Sequence, residues 1–302
     1  MILDEKMRSF PLTMPDGKPW PKISIVTPSY NQGRFLEETI RSVLLQNYPN
    51  LEYIIMDGGS TDHSVEIIRR YESQIAYWES AKDNGQSHAI NKGFALATGD
   101  VLAYLNSDDA YTPGTLMKVG NIFSNAPHCV FLYGRSVPID ADSAIKDQQR
   151  FITQKTLDRG FRPNLLRYCI NYLPQPSCFW RRCVYEAIGG MDESMHLIMD
   201  YDYWLRVMNA GFRIQYVQED LSFFRYHRDA RTPSSDLTMR FKEMKLCCRK
   251  NGVPPASHVA YYFLERYIIG RFQTWSTIHR SAGWYGLFCY WRSRLDTRIR
   301  KV

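Results

Sequence analysis

The chain has 302 residues, 44% of them hydrophobic and 23% charged, a balance that supports a sizeable core and excludes a disordered or fibrous chain. Its formal net charge is +7, but the excess sits at one end: 13 Lys or Arg stand against 4 Asp or Glu between Asp236 and Val302, a balance of +9, and 25 against 27 elsewhere, a balance of −2. The seven cysteines are an odd number with no CxxC pair and no His at zinc spacing, which excludes a disulfide scaffold and a zinc ribbon.

The opening Met1-Ile2-Leu3-Asp4-Glu5-Lys6 is acidic where a signal peptide would be basic, and no apolar segment follows it. No uninterrupted apolar run reaches the roughly eighteen residues that a membrane span needs. The expectation is a cytoplasmic protein with reduced thiols. At this length, one large α/β domain with a smaller appendage is the natural division.

Residues 1–21 carry four prolines and little periodicity, and read as an irregular lead-in. Ile23, Ile25 and Val26 then form a short buried strand that stops at Thr27-Pro28-Ser29-Tyr30-Asn31, followed by a helix with Phe35, Leu36, Ile40, Val43 and Leu44 at helical spacing. Leu51 to Met56 is a second strand, halted by Asp57-Gly58-Gly59-Ser60-Thr61-Asp62. This cluster, Asp62 in particular, caps a helix with Val65, Ile68 and Tyr71 on one face. A third helix bearing Ile90, Phe94 and Ala97 leads through Gly99 into Val101 to Leu105, a strand that ends at Asn106-Ser107-Asp108-Asp109.

Alternating strands and helices predict an α/β fold, a mostly parallel sheet flanked by helices. Ligands of such sheets bind beyond the carboxyl ends of the strands. Three successive strands end in polar or acidic clusters, so the clusters should converge on one rim. A rim carrying Asp57, Asp108 and Asp109 repels an anion unless a divalent cation mediates. Mg2+ or Mn2+, held by one or two carboxylates and completed by phosphate oxygens and water, would bring a diphosphate. The alternative is that these Asp residues are caps and turn formers.

The succession IVTPSYNQ, IIMDGGSTD, DNGQSHAINKGFALATGD, LNSDD, and GGMDES followed by MDYDYWLR resembles glycosyltransferase family 2, inverting enzymes with a GT-A fold. The resemblance covers about residues 21–234, in the family's order and spacing, so the domains are expected as residues 1–21, 22–235 and 236–302. It implies that Pro28, Ser29 and Tyr30 line a nucleotide pocket, that Asp57 holds base or ribose, and that Asp83, Asn84, Gly85 and Asn91 lie beside the donor. Asn106-Ser107-Asp108 takes the place of the family's DxD motif, with Asn for the first Asp, leaving Asp108, or Asp109 next to it, as the metal ligand for Mn2+ or Mg2+. Asp200 matches the general base, in a segment that usually reads Glu-Asp and here reads Met199-Asp200. Asp200 or Asp202 could instead cap the helix that begins nearby.

In Tyr226-His227-Arg228 the resemblance implies a His that closes the metal shell or touches the diphosphate; a structural His is the other reading. Gln175 and Trp180 resemble the stretch facing donor sugar and acceptor, and Asp202 is expected to face the sugar or acceptor as well, with Trp180 either stacked on a sugar or part of the core. The implied activity is transfer of a sugar, UDP being the expected carrier, to a hydroxyl of a glycan or lipid-linked acceptor of the cell envelope. A non-catalytic relative that binds nucleotide sugars is the competing reading, kept open by Asn106 and Met199. A sugar-phosphate nucleotidyltransferase would carry a Gly-rich, Arg-containing loop where this chain has TPSYNQGR.

Beyond Ser235, Tyr261, Leu264, Ile268, Phe272 and Trp275 recur at helical spacing among arginines, and further aromatic and basic residues follow to Lys301. Two readings stay open: an interfacial helix making the protein peripheral on an anionic inner membrane face, where a lipid-linked acceptor would be presented, or helices packed on the catalytic domain or on a second subunit of a homo-oligomer. No groove-reading motif accompanies the basic tail, so nucleic acid is not an expected partner.

Overall fold

The computed structural model describes residues 11–146, 160–168, 171–227 and 237–253. The aromatic and basic run from Tyr261 to Lys301 lies outside the described residues, as do Arg228, Cys169 and Cys289. Two compact units divide the chain, Met1–Phe161 with Leu173–Ser235, and Arg162–Tyr172 with Asp236–Val302.

The first unit is built on an eight-stranded sheet in the order β3-β2-β1-β4-β7-β6-β8-β5. The strands are β1 Ile23–Ser29, β2 Leu51–Asp57, β3 Tyr77–Ser80, β4 Val101–Tyr104, β5 Ala110–Tyr111, β6 Phe131–Asp140, β7 Cys178–Arg181 and β8 Ile214–Tyr226. β1 to β4 are mutually parallel, as the alternation predicts. The second half is not: β7 runs antiparallel between β4 and β6, and β5 antiparallel beside β8. The helices are α1 Gly33–Leu44, α2 Ser64–Arg70, α3 Gln86–Leu96, α4 Thr115–Asn125, α6 Arg182–Ile188 and α7 Met199–Asn209; α5 Pro163–Tyr168 and α8 Leu237–Lys250 belong to the second unit.

Period-two alternation distributes the core. Ile23, Ile25, Tyr53, Ile55, Val101 and Ala103 share one cluster with Leu36, Ile40 and Val43 of α1, Ile67 and Ile68 of α2, and Leu116, Val119 and Phe123 of α4. On the opposite face Tyr104 and Trp180 meet Phe94 of α3, and Trp180 meets Trp204 of α7. α3 lies so close to the sheet that a Cβ on Gly93 would fall 2.4 Å from Val26 Cγ1, a contact no side chain tolerates. Both edge strands are short, and β3 adds a Lys92–Glu79 ion pair beside it, features that discourage edge pairing.

Several element ends differ from expectation by one to three residues, most visibly at β1 and α3. β1 continues through Thr27, Pro28 and Ser29, three residues past the apolar run. Ala97 is extended and lies outside α3. Asp62 lies one residue before His63, the N-cap of α2, and ties the starts of two helices, accepting the N–H of Ser64 at 2.9 Å and that of Gly33, the first residue of α1, at 2.8 Å.

In the second unit, α8 ends in a left-handed Gly252 (φ 66°), with Val253 N–H returning to Cys248 O at 2.8 Å, a helix stop that satisfies the last carbonyls. Arg249 and Lys250 occupy its last turn, where cations suit the dipole. No helix among the described residues is long and apolar enough to cross a membrane. The five described cysteines are free thiols.

Candidate active site

The strand order reverses between β1 and β4: from β1 the sheet grows through β2 and β3 to one side, and β4 lies on the other. Such a switch point opens a crevice at the carboxyl ends of the two strands. Pro28 marks its mouth. Val26 O accepts from Leu105 N at 2.9 Å, and Ser29 O accepts from Gly58 N at 2.8 Å, so backbone groups of even-numbered residues face β4 and odd ones face β2. The N–H that Pro28 lacks would face β4 two residues beyond the last bond to it, after β4 has turned away. Proline therefore costs no ladder bond there.

Three loops border the crevice. Ser29 is buried with an unpartnered Oγ, and Tyr30 beside it is 59% exposed. Asn31 adopts a left-handed φ of 52° and ties this loop to the next, donating its N–H to Ser60 Oγ and accepting from Thr61 N, both at 2.8 Å.

Asp57 is buried, and its carboxylate is engaged by its own surroundings. It accepts from Gly59 N (3.2 Å), Ser60 N (2.8 Å), Ser60 Oγ (2.5 Å) and Ser80 Oγ (2.6 Å). Held in this way, Asp57 fixes the loop after β2 at the border of the crevice. Asp83 accepts from Gly85 N at 2.7 Å and lies against Gly58, where a Cβ would stand 2.9 Å from Asp83 Oδ2. Asn84 is exposed on the same turn.

At the end of β4, Asn106 sits in a chain of amides. Gln175 donates Nε2 to Tyr104 O at 2.8 Å, Asn106 donates Nδ2 to Gln175 Oε1 at 3.0 Å, and Gln86 donates Nε2 to Asn106 Oδ1 at 2.6 Å. Ser107 is buried. Asp108 then faces outward, its side chain 20% exposed, with Oδ2 3.0 Å from Nε2 of His227 at the end of β8. Asp109 turns inward and is buried; Oδ1 accepts from Arg225 N at 3.0 Å and Oδ2 has no partner. Burial, and then the charge of Asp108, push its carboxyl well above the usual range.

Arg225 anchors this corner. Its fully buried guanidinium donates to Asp108 O (2.8 Å), Asp140 O (3.1 Å), Ser143 Oγ (2.8 Å) and Glu38 Oε2 (2.6 Å). Neither Arg225 nor Gln86 and Glu38 emerges from the sequence reading. The one signal for Arg225 is a charge inside the apolar run Leu221 to Tyr226, two residues from His227 and thus on the same strand face.

Asp200 lies in the first turn of α7, its Oδ1 accepting Tyr201 N at 2.8 Å. It stands near the carboxyl end of β4: burial first, and then the Asp200 charge, push the Tyr104 phenol and the Cys178 thiol well above their ordinary values.

Four expected contacts do not hold. Trp180 is completely buried, its ring stacked on Phe131 and edged by Phe94, Tyr104 and Trp204, so no face is left for a sugar. Asp202 is buried and paired with Arg206 Nε at 2.8 Å, one turn along α7. Asn91 uses its amide on the loop before α7, accepting from Met191 N (2.7 Å) and donating to Met191 O and Glu193 Oε1 (both 2.9 Å), not on the donor side. Asp109 is turned away from the crevice. Gln175 is buried too, as the anchor of the amide chain.

The donor set suits a hard divalent cation. No group of three or more His, Cys, Asp or Glu converges among the described residues; Asp108 and His227 would supply two ligands to such an ion, leaving phosphates and water to complete its shell. Their 3.0 Å separation matches the spacing of about 3.0 Å between adjacent octahedral ligands with bonds near 2.1 Å. On the other side of the ring, His227 Nδ1 is buried without a partner.

Sheet order, switch-point crevice and acidic exit loops together define an α/β fold of the GT-A class. S. aureus TarS 1-349, solved in complex with UDP-GlcNAc, shares it with a TM-score of 0.58 at 15% identity over 86% of this chain and 78% of that one. Mannosyltransferase PcManGT from Pyrobaculum calidifontis, in complex with GDP-Man and Mn2+, gives 0.59 at 17% identity over 81% and 70%. Residues 24–189 match the family model for glycosyl transferase family 2, more than half of the chain, and the chain belongs to that family. It is 29% identical over 215 residues to an uncharacterized glycosyltransferase of Nostoc sp., spanning 68% of this chain and 65% of that one. It is also 29% identical over 206 residues to O-antigen biosynthesis protein RfbC of Myxococcus xanthus, spanning 67% of this chain and 16% of that one.

Proposed function

We propose that this protein is an inverting glycosyltransferase that moves a sugar from a nucleoside diphosphate, UDP by first expectation, to a hydroxyl of a glycan or lipid-linked acceptor of the cell envelope. The observation that carries this reading is the meeting of Asp108 and His227 at the switch-point crevice, from strand ends 119 residues apart in sequence. The relatives support it: TarS was solved with UDP-GlcNAc and RfbC is named for O-antigen biosynthesis.

Asp108 and His227 would hold the Mn2+ or Mg2+, which when bound supplies charge neutralisation on the diphosphate leaving group. Ser29 and Tyr30, with the loops pinned by Asp57 and Asp83, form the wall for the nucleoside. Asp200 takes the proton of the acceptor hydroxyl as its oxygen bonds to the anomeric carbon; the carbon–phosphate oxygen bond breaks and its electron pair leaves with the diphosphate. One base on the acceptor side is enough for inversion.

The departures that favour a non-catalytic subunit have local explanations. Met199 is buried with its sulfur 2.8 Å from Ser87 Oγ, and Asn106 completes the amide chain. The test is nucleoside diphosphate release from a panel of nucleotide sugars with Mn2+ or Mg2+, with product stereochemistry read by proton NMR. Metal-dependent release with inverted product supports the reading; retained configuration, or larger thermal shifts with GDP or dTDP than with UDP, would change the mechanism or the carrier respectively.

A further inference from the structure

Residues 189–198, the stretch between α6 and α7, lead directly into the turn that carries Asp200, and two arms hold them. α3 supplies the first. Asn91 clasps both backbone groups of Met191 and the Glu193 carboxylate, and one turn earlier the Ser87 hydroxyl lies 3.0 Å from Met195 O and 2.8 Å from Met199 Sδ. The fit leaves no slack: a Cβ on Gly190 would stand 2.3 Å from Asn91 Oδ1.

α7 supplies the second arm. Arg206 donates to Ile188 O at 2.9 Å and Gly190 O at 2.7 Å, with Asp202 fixing its Nε at 2.8 Å and Tyr203 beneath the guanidinium at 5.0 Å. Both arms thus close on the same few residues around Gly190. α3 also begins with Gln86, which reaches Asn106 at the end of β4, so one helix fixes the donor-side loop and the loop before Asp200 together.

We propose that Asn91 and Arg206 are positioning residues: a two-armed latch that sets the place of Asp200 against the donor crevice without touching donor or acceptor. The proposal rests on Asp200 being the base. A displacement of about 1 Å at a reacting group costs on the order of a hundredfold in rate, which makes a rigid approach to Asp200 valuable.

The experiment compares wild type with Asn91→Ala, Arg206→Met and the milder Arg206→Lys, which keeps a cation beside Asp202 and the carbonyls of Ile188 and Gly190. It reads three quantities: kcat, the Kd of UDP with Mn2+ by calorimetry, and amide hydrogen exchange. The expected result is a kcat about tenfold or more lower for Asn91→Ala and Arg206→Met, a smaller loss for Arg206→Lys, and a UDP Kd within about twofold of wild type. Exchange should rise in residues 189–200 while β1, β2 and β4 stay protected. A loosened loop with unchanged kcat would overturn the proposal, as would a UDP affinity that falls as far as kcat, which would put Asn91 on the donor. If wild type turns over no donor, the reading of Asp200 fails first, and the exchange data then leave a structural latch with no catalytic role.

Discussion

The carbonyl of Tyr104 can only accept a hydrogen bond, and that constraint propagates outward from the end of β4. Gln175 must present its amide nitrogen to it, so its oxygen faces Asn106, and residue 106 must donate on that side while accepting from Gln86 on the other. An amide satisfies both; a carboxylate meets an oxygen. Asn106→Asp, which restores the commoner family residue, should therefore lower turnover about tenfold and destabilise the fold by about 1–3 kcal/mol, read by steady-state kinetics and thermal melting. A gain in activity would mean that the amide chain does not govern the loop. At the neighbouring pair, Asp108→Ala should cost on the order of a hundredfold or more in metal-dependent turnover, whereas His227→Ala should raise the Mn2+ needed for half-maximal rate by about 10- to 100-fold. Titrating each variant with Mn2+ separates the two outcomes.

At the scale of elements, β1, β2 and β4 and the helices between them are readable in advance because each of these strands is an apolar run closed by a polar cluster and each helix has a 3.6-residue stripe; the edge strand β3, Tyr-Trp-Glu-Ser, has no such run and escapes the pattern. The exit loops are readable for the same reason. The second half hides its order, since β4 takes β7 and not β5 as its neighbour, a pairing that local pattern does not encode. The Trp180 ambiguity has the same origin: β7 has only four residues, too few for alternation to reveal that Trp180 is inserted between buried layers. Trp180→Ala should thus behave as a core truncation, costing about 3–5 kcal/mol in denaturant unfolding, while UDP affinity of the folded fraction stays unchanged. The partners of Asn91 and Asp202 lie in a loop and on the next helical turn, contacts that family position alone does not describe.

Across the whole molecule, chemistry and stability occupy opposite ends of the parallel strands. The carboxyl ends carry the crevice; at the amino ends the buried Glu52 receives Lys22 Nζ (2.6 Å), Ser24 Oγ (2.5 Å), and the N–H and hydroxyl of Thr98 (both 2.6 Å). Burial alone would raise this carboxyl, but those donors hold it at about 2, below its ordinary 4.5. A depressed value contributes stability above pH 4.5 that is lost as pH falls toward 2. Glu52→Gln should cost about 2 kcal/mol at pH 7, and the deficit relative to wild type should shrink through that window in urea melts; a deficit independent of pH would mean packing, not charge, is at stake. The charge asymmetry, +9 in the final 67 residues against −2 elsewhere, keeps the acidic crevice and the basic tail in separate parts of the sequence.

The proposed mechanism makes Asp200 the base acting on a donor held at the Asp108–His227 corner. It is tested most directly by nucleoside diphosphate release from a nucleotide sugar with Mn2+ and acceptor, comparing wild type with Asp200→Asn and measuring donor affinity of both. Wild type should give metal-dependent release, Asp200→Asn should lose it, and the two should bind donor equally. Release by Asp200→Asn at the wild-type rate, or donor binding without release by wild type, would contradict it.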